Sequence, residues 1–91
     1  FDCSLVMLAS GNETPRYLAE NVPEHILYVV EGQPTIRFRN VNTILSQDQA
    51  LLVPKGSAHT IAAGPSQGAK LLRVEIPPRP ETLPQIITLN S

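Results

Sequence analysis

The sequence predicts an all-β sandwich or barrel, and three observations carry that prediction. Nine prolines, at positions 15, 23, 34, 54, 65, 77, 78, 80 and 84, leave few gaps wide enough for a helix of ordinary length. The longest gap, residues 35–53, reads with period two: Ile36 and Phe38 alternate with Arg37 and Arg39. Short apolar or β-branched runs recur at a spacing of roughly 8–12 residues, separated by turn signals.

In chain order, residues 4–9 (SLVMLA) form a short apolar run, and residues 16–20 a weaker strand candidate. Residues 26–30 (ILYVV) are β-branched and aromatic, and Gly32 stops them with a turn that tolerates positive φ. Residues 36–38 lead through the turn chemistry of Arg39, Asn40, Val41 and Asn42 into a second extended run at 43–45. Residues 50–53 (ALLV) end at Pro54, and residues 59–62 (HTIA) end before Gly64 and Pro65. In residues 69–76, Leu72, Val74 and Ile76 share one face and Arg73 and Glu75 the other. Residues 77–84 (PPRPETLP) read as a stiff extended link to a last strand at 85–89.

Composition bounds the function. At 91 residues and 9.9 kDa the chain makes one domain, 1–91, with 77–91 as a proline-linked strand or tail. It is 42% hydrophobic and 16% charged, which argues against disorder. The net charge of −1 and the lack of a Lys/Arg cluster give no footprint for nucleic acid. No apolar run approaches the ~20 residues of a membrane helix. The single cysteine, Cys3, excludes an internal disulfide and a multi-cysteine metal knot, and its apolar neighbours suggest packing as a small hydrophobe. A lone thiol makes the cytoplasm the expected location.

Two segments resemble the cupin superfamily, the small jelly-roll barrels. Residues 24–32 (EHILYVVEG) are similar to the first cupin motif, and residues 54–59 (PKGSAH), with LLV before them, match the Pro-x-Gly-x-x-His core of the second. Residues 8–16 (LASGNETPR) look like the lead-in to the first motif. The resemblance covers most of 5–76 and implies an antiparallel double-stranded β-helix, a jelly-roll barrel. It also implies a homodimer, since family members of this size commonly pair and exchange terminal segments.

The same resemblance implies a metal site of two histidines and a glutamate from the first motif and one histidine from the second. Here Tyr17 and Ala19 stand at the histidine positions and His25 at the glutamate position. Only His59 keeps the family's ligand type. Asp48 stands where a glycine is usual, and Ala63 where an asparagine is usual. The resemblance therefore supports the barrel and undercuts the usual metal centre.

His25 and His59 are the only histidines. On alternating strands, Leu27 and Val29 share the face of His25, and Ile61 that of His59. These residues with Tyr17 make the expected ligand pocket. Two imidazoles could hold a divalent metal (Zn, Fe, Mn, Ni or Cu), with Tyr17, Glu20 or Glu24 as a third ligand, but two protein ligands alone bind weakly. A wet cavity mouth without metal is the favoured reading, and no cofactor is expected. Tyr17 could act as a neutral donor or simply pack its ring. Glu24 points away from His25 on a regular strand, and Arg37 and Arg39 either grip an anion or form a solvated stripe, the latter favoured.

No nucleophile elbow, Walker loop, dinucleotide fingerprint or zincin motif is present. Three functions stay open. The first is a barrel that binds a small molecule without the complete metal site. The second is a metal-dependent oxygenase or isomerase built on His25 and His59. The third, suggested by a chain that starts at Phe1, is a sensory or oligomerisation module of a larger regulator.

Overall fold

The alternation seen in the sequence is realised as seven strands in a computed structural model that describes residues 2–77. They are β1 (Asp2–Leu8), β2 (His25–Glu31), β3 (Thr35–Arg37), β4 (Asn42–Ile44), β5 (Ala50–Val53), β6 (Thr60–Ala62) and β7 (Ala69–Glu75). The expected last strand at 85–89 and almost all of the proline link lie outside the described residues. The weak candidate at 16–20 is not a strand. Tyr17 makes an isolated bridge with His59, and Ala19–Asn21 form a single 3-10 turn. No helix among the described residues is long and apolar enough to cross a membrane.

The strands form two antiparallel sheets, ordered β1-β7-β2-β5 and β4-β3-β6. This is the jelly-roll barrel. Its core lies between the sheets, with Leu27, Val29, Val53 and Leu71 meeting Ile36, Leu45 and Ile61. Register decides which face is inside. His25, Leu27 and Val29 oppose Glu75, Arg73 and Leu71, so these three residues of β7 share the inner face. Leu72 and Val74 consequently face outward, beside Leu5 and Cys3 of β1 and Tyr28 and Ile26 of β2.

Cys3 is exposed rather than packed: among the described residues β1 is the edge strand of its sheet, and Cys3 lies on its outward face. Gly32 closes the turn after β2 at φ +89°, where a Cβ would overlap the Gly68 carbonyl. Asp48, at a position where the resemblance expects glycine, keeps a left-handed backbone at φ 68°. Its carboxylate accepts the Tyr28 hydroxyl at 2.6 Å, and its N–H donates to the Val29 carbonyl at 2.8 Å. Asp is among the few side chains that tolerate this backbone region.

Candidate functional site

The site collects at one end of the barrel. His25 is the first residue of β2, Glu75 the last of β7, and Val53, opposite His25, the last of β5. On the facing sheet, His59 immediately precedes β6 and Phe38 follows β3. Paired backbone bonds fix Tyr17 beside His59, with the Tyr17 N–H donating to the His59 carbonyl at 2.8 Å and the reverse bond at 3.2 Å.

Both histidines are fully buried. Their rings lie 5.4 Å apart between centroids and tilt by 33°. Tyr17 is 4.9 Å and Phe38 is 5.8 Å from the His59 ring, so His59 sits in an aromatic cluster. Each imidazole is anchored at Nδ1, His25 to the Pro23 carbonyl at 2.8 Å and His59 to the Ser57 carbonyl at 2.7 Å. A carbonyl only accepts, so each Nδ1 carries the proton and each Nε2 presents a lone pair. Both Nε2 atoms are buried and have no hydrogen-bond partner. Leaving such buried acceptors unpaired is costly.

Burial pushes both imidazole pKa values down, as low polarity disfavours the charged ring. The backbone hydrogen bonds oppose this, and the positive charge of Arg73 adds to it at both rings. The two histidines are therefore neutral acceptors at neutral pH.

Three residues at the site escaped the sequence reading. Arg73 is the chief one. Its guanidinium carbon lies 5.5 Å from the Tyr17 ring centroid, in cation–π geometry. Its Nε is buried without a partner, and Nη1 reaches Glu75 Oε2 only at 3.4 Å. Glu75 and Phe38 are the others. The signal was present: Ala69, Leu71, Arg73 and Glu75 share one phase, and the apolar first half of that phase fixes it as inward.

The other predicted residues fall as follows. Leu27, Val29 and Ile61 are fully buried within the core cluster beneath the histidines. Tyr17, His25 and His59 are brought together, whereas Ala19 is exposed on the 3-10 turn. Glu24 is half-buried, and Arg37 and Arg39 are solvent-exposed.

A Nε2 left free by an anchored Nδ1 is the posture of a metal-ligating histidine. The donor set is nevertheless short. Catalytic zinc-type sites use about three protein ligands, and among the described residues no group of three or more His, Cys, Asp and Glu stands together to hold a metal. The residues here do not make a complete metal centre.

Residues 23–86 match the family described as the AraC-like ligand binding domain. Among solved structures, a cupin-2 domain protein from Shewanella frigidimarina is 25% identical with a TM-score of 0.67. The match covers 80% of this chain and 67% of that one. A cupin superfamily protein from Desulfitobacterium hafniense is 24% identical with a TM-score of 0.70, over 81% of this chain and 64% of that one. A polyketide cyclase from Streptomyces resistomycificus is also 24% identical, with a TM-score of 0.70, over 80% of this chain and 51% of that one. The chain thus spans between about half and two thirds of the length of these proteins. No curated protein matches.

Proposed function

This chain belongs to the AraC-like ligand-binding domain family of the cupin superfamily, and from that premise we propose that it binds a small organic molecule at the barrel end formed by Tyr17, His25, His59 and Arg73. The observation that carries this reading is the pair of buried, unpartnered Nε2 lone pairs on anchored, neutral imidazoles. A ligand with two donor hydrogens, such as a primary amide, an amine or a pair of hydroxyls, would satisfy both, and a single hydroxyl one of them, recovering cost that bare acceptors carry. Leu27, Val29 and Ile61 form the apolar floor.

The test is a small-molecule library screened by NMR against wild type and His59→Ala. Hits are expected to perturb residues 17, 25 and 59 and to lose about tenfold or more in affinity in the variant. Hits that bind both proteins equally place the site elsewhere.

We propose that this binding needs no metal, because two imidazoles are too few ligands for a firm centre. Elemental mass spectrometry of untagged protein decides this. Near-stoichiometric metal that disappears in the His25→Ala/His59→Ala protein would restore the reading of an oxygenase or isomerase. The family match favours a sensory role over an enzymatic one, since a ligand-binding domain requires no catalytic group.

The outer face of the four-stranded sheet fits a second copy of the chain. Leu5, Met7 and Leu52 are 50, 65 and 53% exposed there, with half-buried Ile26, Leu72 and Val74 between them. Among the described residues β1 pairs only with β7, and such an edge is a further inducement to association. Light scattering is expected to give a dimer that Leu5→Lys/Met7→Lys converts to monomer. A monomeric wild type at tens of micromolar would contradict it. The exposed free thiol of Cys3 suits a reducing cytoplasm.

A further inference from the structure

We propose that the molecule bound at the barrel end is a small carboxylate with an adjacent hydroxyl, its carboxylate held by Arg73 and its hydroxyl proton donated to one of the paired imidazoles of His25 and His59. The inference rests on the site proposed above and names the chemistry of its occupant.

Arg73 supplies the first half. It lies on β7, between β1 and β2, and its side chain is only 17% exposed. The cross-strand register with Leu27 turns it inward, and the Tyr17 ring lies against its guanidinium. Glu75 meets the Nη1 corner alone, at a length too great for a strong bond. The Nε–H stays buried and unmatched. The Nε–Nη2 edge of a guanidinium is one of the two edges that take a carboxylate with parallel hydrogen bonds. An anion placed there would satisfy Nε and balance a charge that Glu75 answers only loosely.

The imidazoles supply the second half. Their Nδ1 protons are already donated, so their Nε2 atoms can only accept. A bare anion would satisfy Arg73 but set its own lone pairs against those of the histidines. A neutral polyol could donate to the histidines and accept from the Arg73 Nε–H, but it would leave the Arg73 charge answered only by the long contact to Glu75. A hydroxy acid supplies both a countercharge for Arg73 and a donor for an imidazole. The electrostatics agree, because the charge of Arg73 reaches both rings, and Glu75, at the end of its strand, is the more exposed partner.

The experiment titrates lactate, propionate and lactamide into wild type, Arg73→Gln and Arg73→Lys, following the imidazole resonances and the heat of binding. Lactate is expected to bind at the histidine pair about tenfold or more tightly than propionate, which lacks the hydroxyl, and than lactamide, which lacks the charge. Arg73→Gln should remove that preference over lactamide, and Arg73→Lys should restore part of it by charge without the bidentate geometry. Thermal unfolding of each variant confirms that it is folded. Lactamide equal to lactate, with Arg73→Gln indifferent to both, overturns the carboxylate while leaving a barrel that binds neutral molecules. Library compounds that bind at the histidines while all three probes fail overturn this inference alone. No compound of any class at the histidines overturns the binding site as well.

Discussion

Acidification from about pH 7.5 to about pH 5 is expected to destabilise the folded protein, and His25 and His59 to account for most of the loss. Both rings are wholly buried, and burial is the largest cause of their lowered pKa, with the Arg73 charge assisting. In the unfolded chain each titrates near the ordinary value of 6.5. Between that value and the lower folded one, the unfolded state binds more protons than the folded state. Stability is therefore full above 6.5 and falls as pH drops through the window down to the folded values. Each such histidine contributes a slope of up to about 1.4 kcal/mol per pH unit inside its window. Urea midpoints across this range measure the slope. The His25→Gln/His59→Gln protein should show a much flatter profile, and each single variant an intermediate one. A wild-type midpoint that does not move above pH ~5 would contradict the assignment of two neutral buried rings.

The second large effect is steric. Gly32→Val is expected to cost about 4 kcal/mol or more, enough to leave little folded protein in a domain of this size. Gly32 sits at φ +89°, and any Cβ there would overlap the Gly68 carbonyl and stand 3.0 Å from the Ala69 Cα. Neither obstacle can swing aside, since both are backbone at the start of β7. Gly11→Ala is the control. Gly11 also has positive φ, at +78°, but nothing lies within 4 Å of its would-be Cβ. It should pay the conformational penalty alone, about 1–2 kcal/mol. Denaturant midpoints for the two variants separate the terms, and equal losses would show that the Gly68 contact carries no weight.

These two effects mark what the sequence made legible. Gly32 was readable because a glycine after a β-branched run, at the end of a motif, signals a backbone position that side chains avoid. Strand placement was readable for the same reason: proline punctuation and period-two alternation placed all seven strands within a residue or two. Residues 16–20 were not, because a single bridge between Tyr17 and His59 needs no alternation to form. Cys3 is exposed where packing is expected, because an apolar run looks alike on a covered strand and on a strand that, among the described residues, lies at the sheet edge.

The site was half legible. His25, His59 and Tyr17 emerged from counting along a family motif, and the fold draws them within ring-contact distance. Arg73 did not, because charge on an alternating strand usually faces water. Its inward position follows from Ala69 and Leu71 sharing its phase and from the register with β2. Asp48 shows the opposite case. A departure from the expected glycine left the backbone unchanged, since Asp tolerates φ 68° and gains the Tyr28 hydroxyl.

Ligand binding at the barrel end depends on the two imidazole Nε2 lone pairs. Long-range proton–nitrogen NMR of histidine-labelled protein near neutral pH reads them directly, first alone and then with library hits. Neutral rings protonated at Nδ1 are expected, with both Nε2 resonances moving on binding of small organic molecules to metal-free protein. Rings protonated at Nε2, or hits that leave both Nε2 resonances in place, would contradict that dependence.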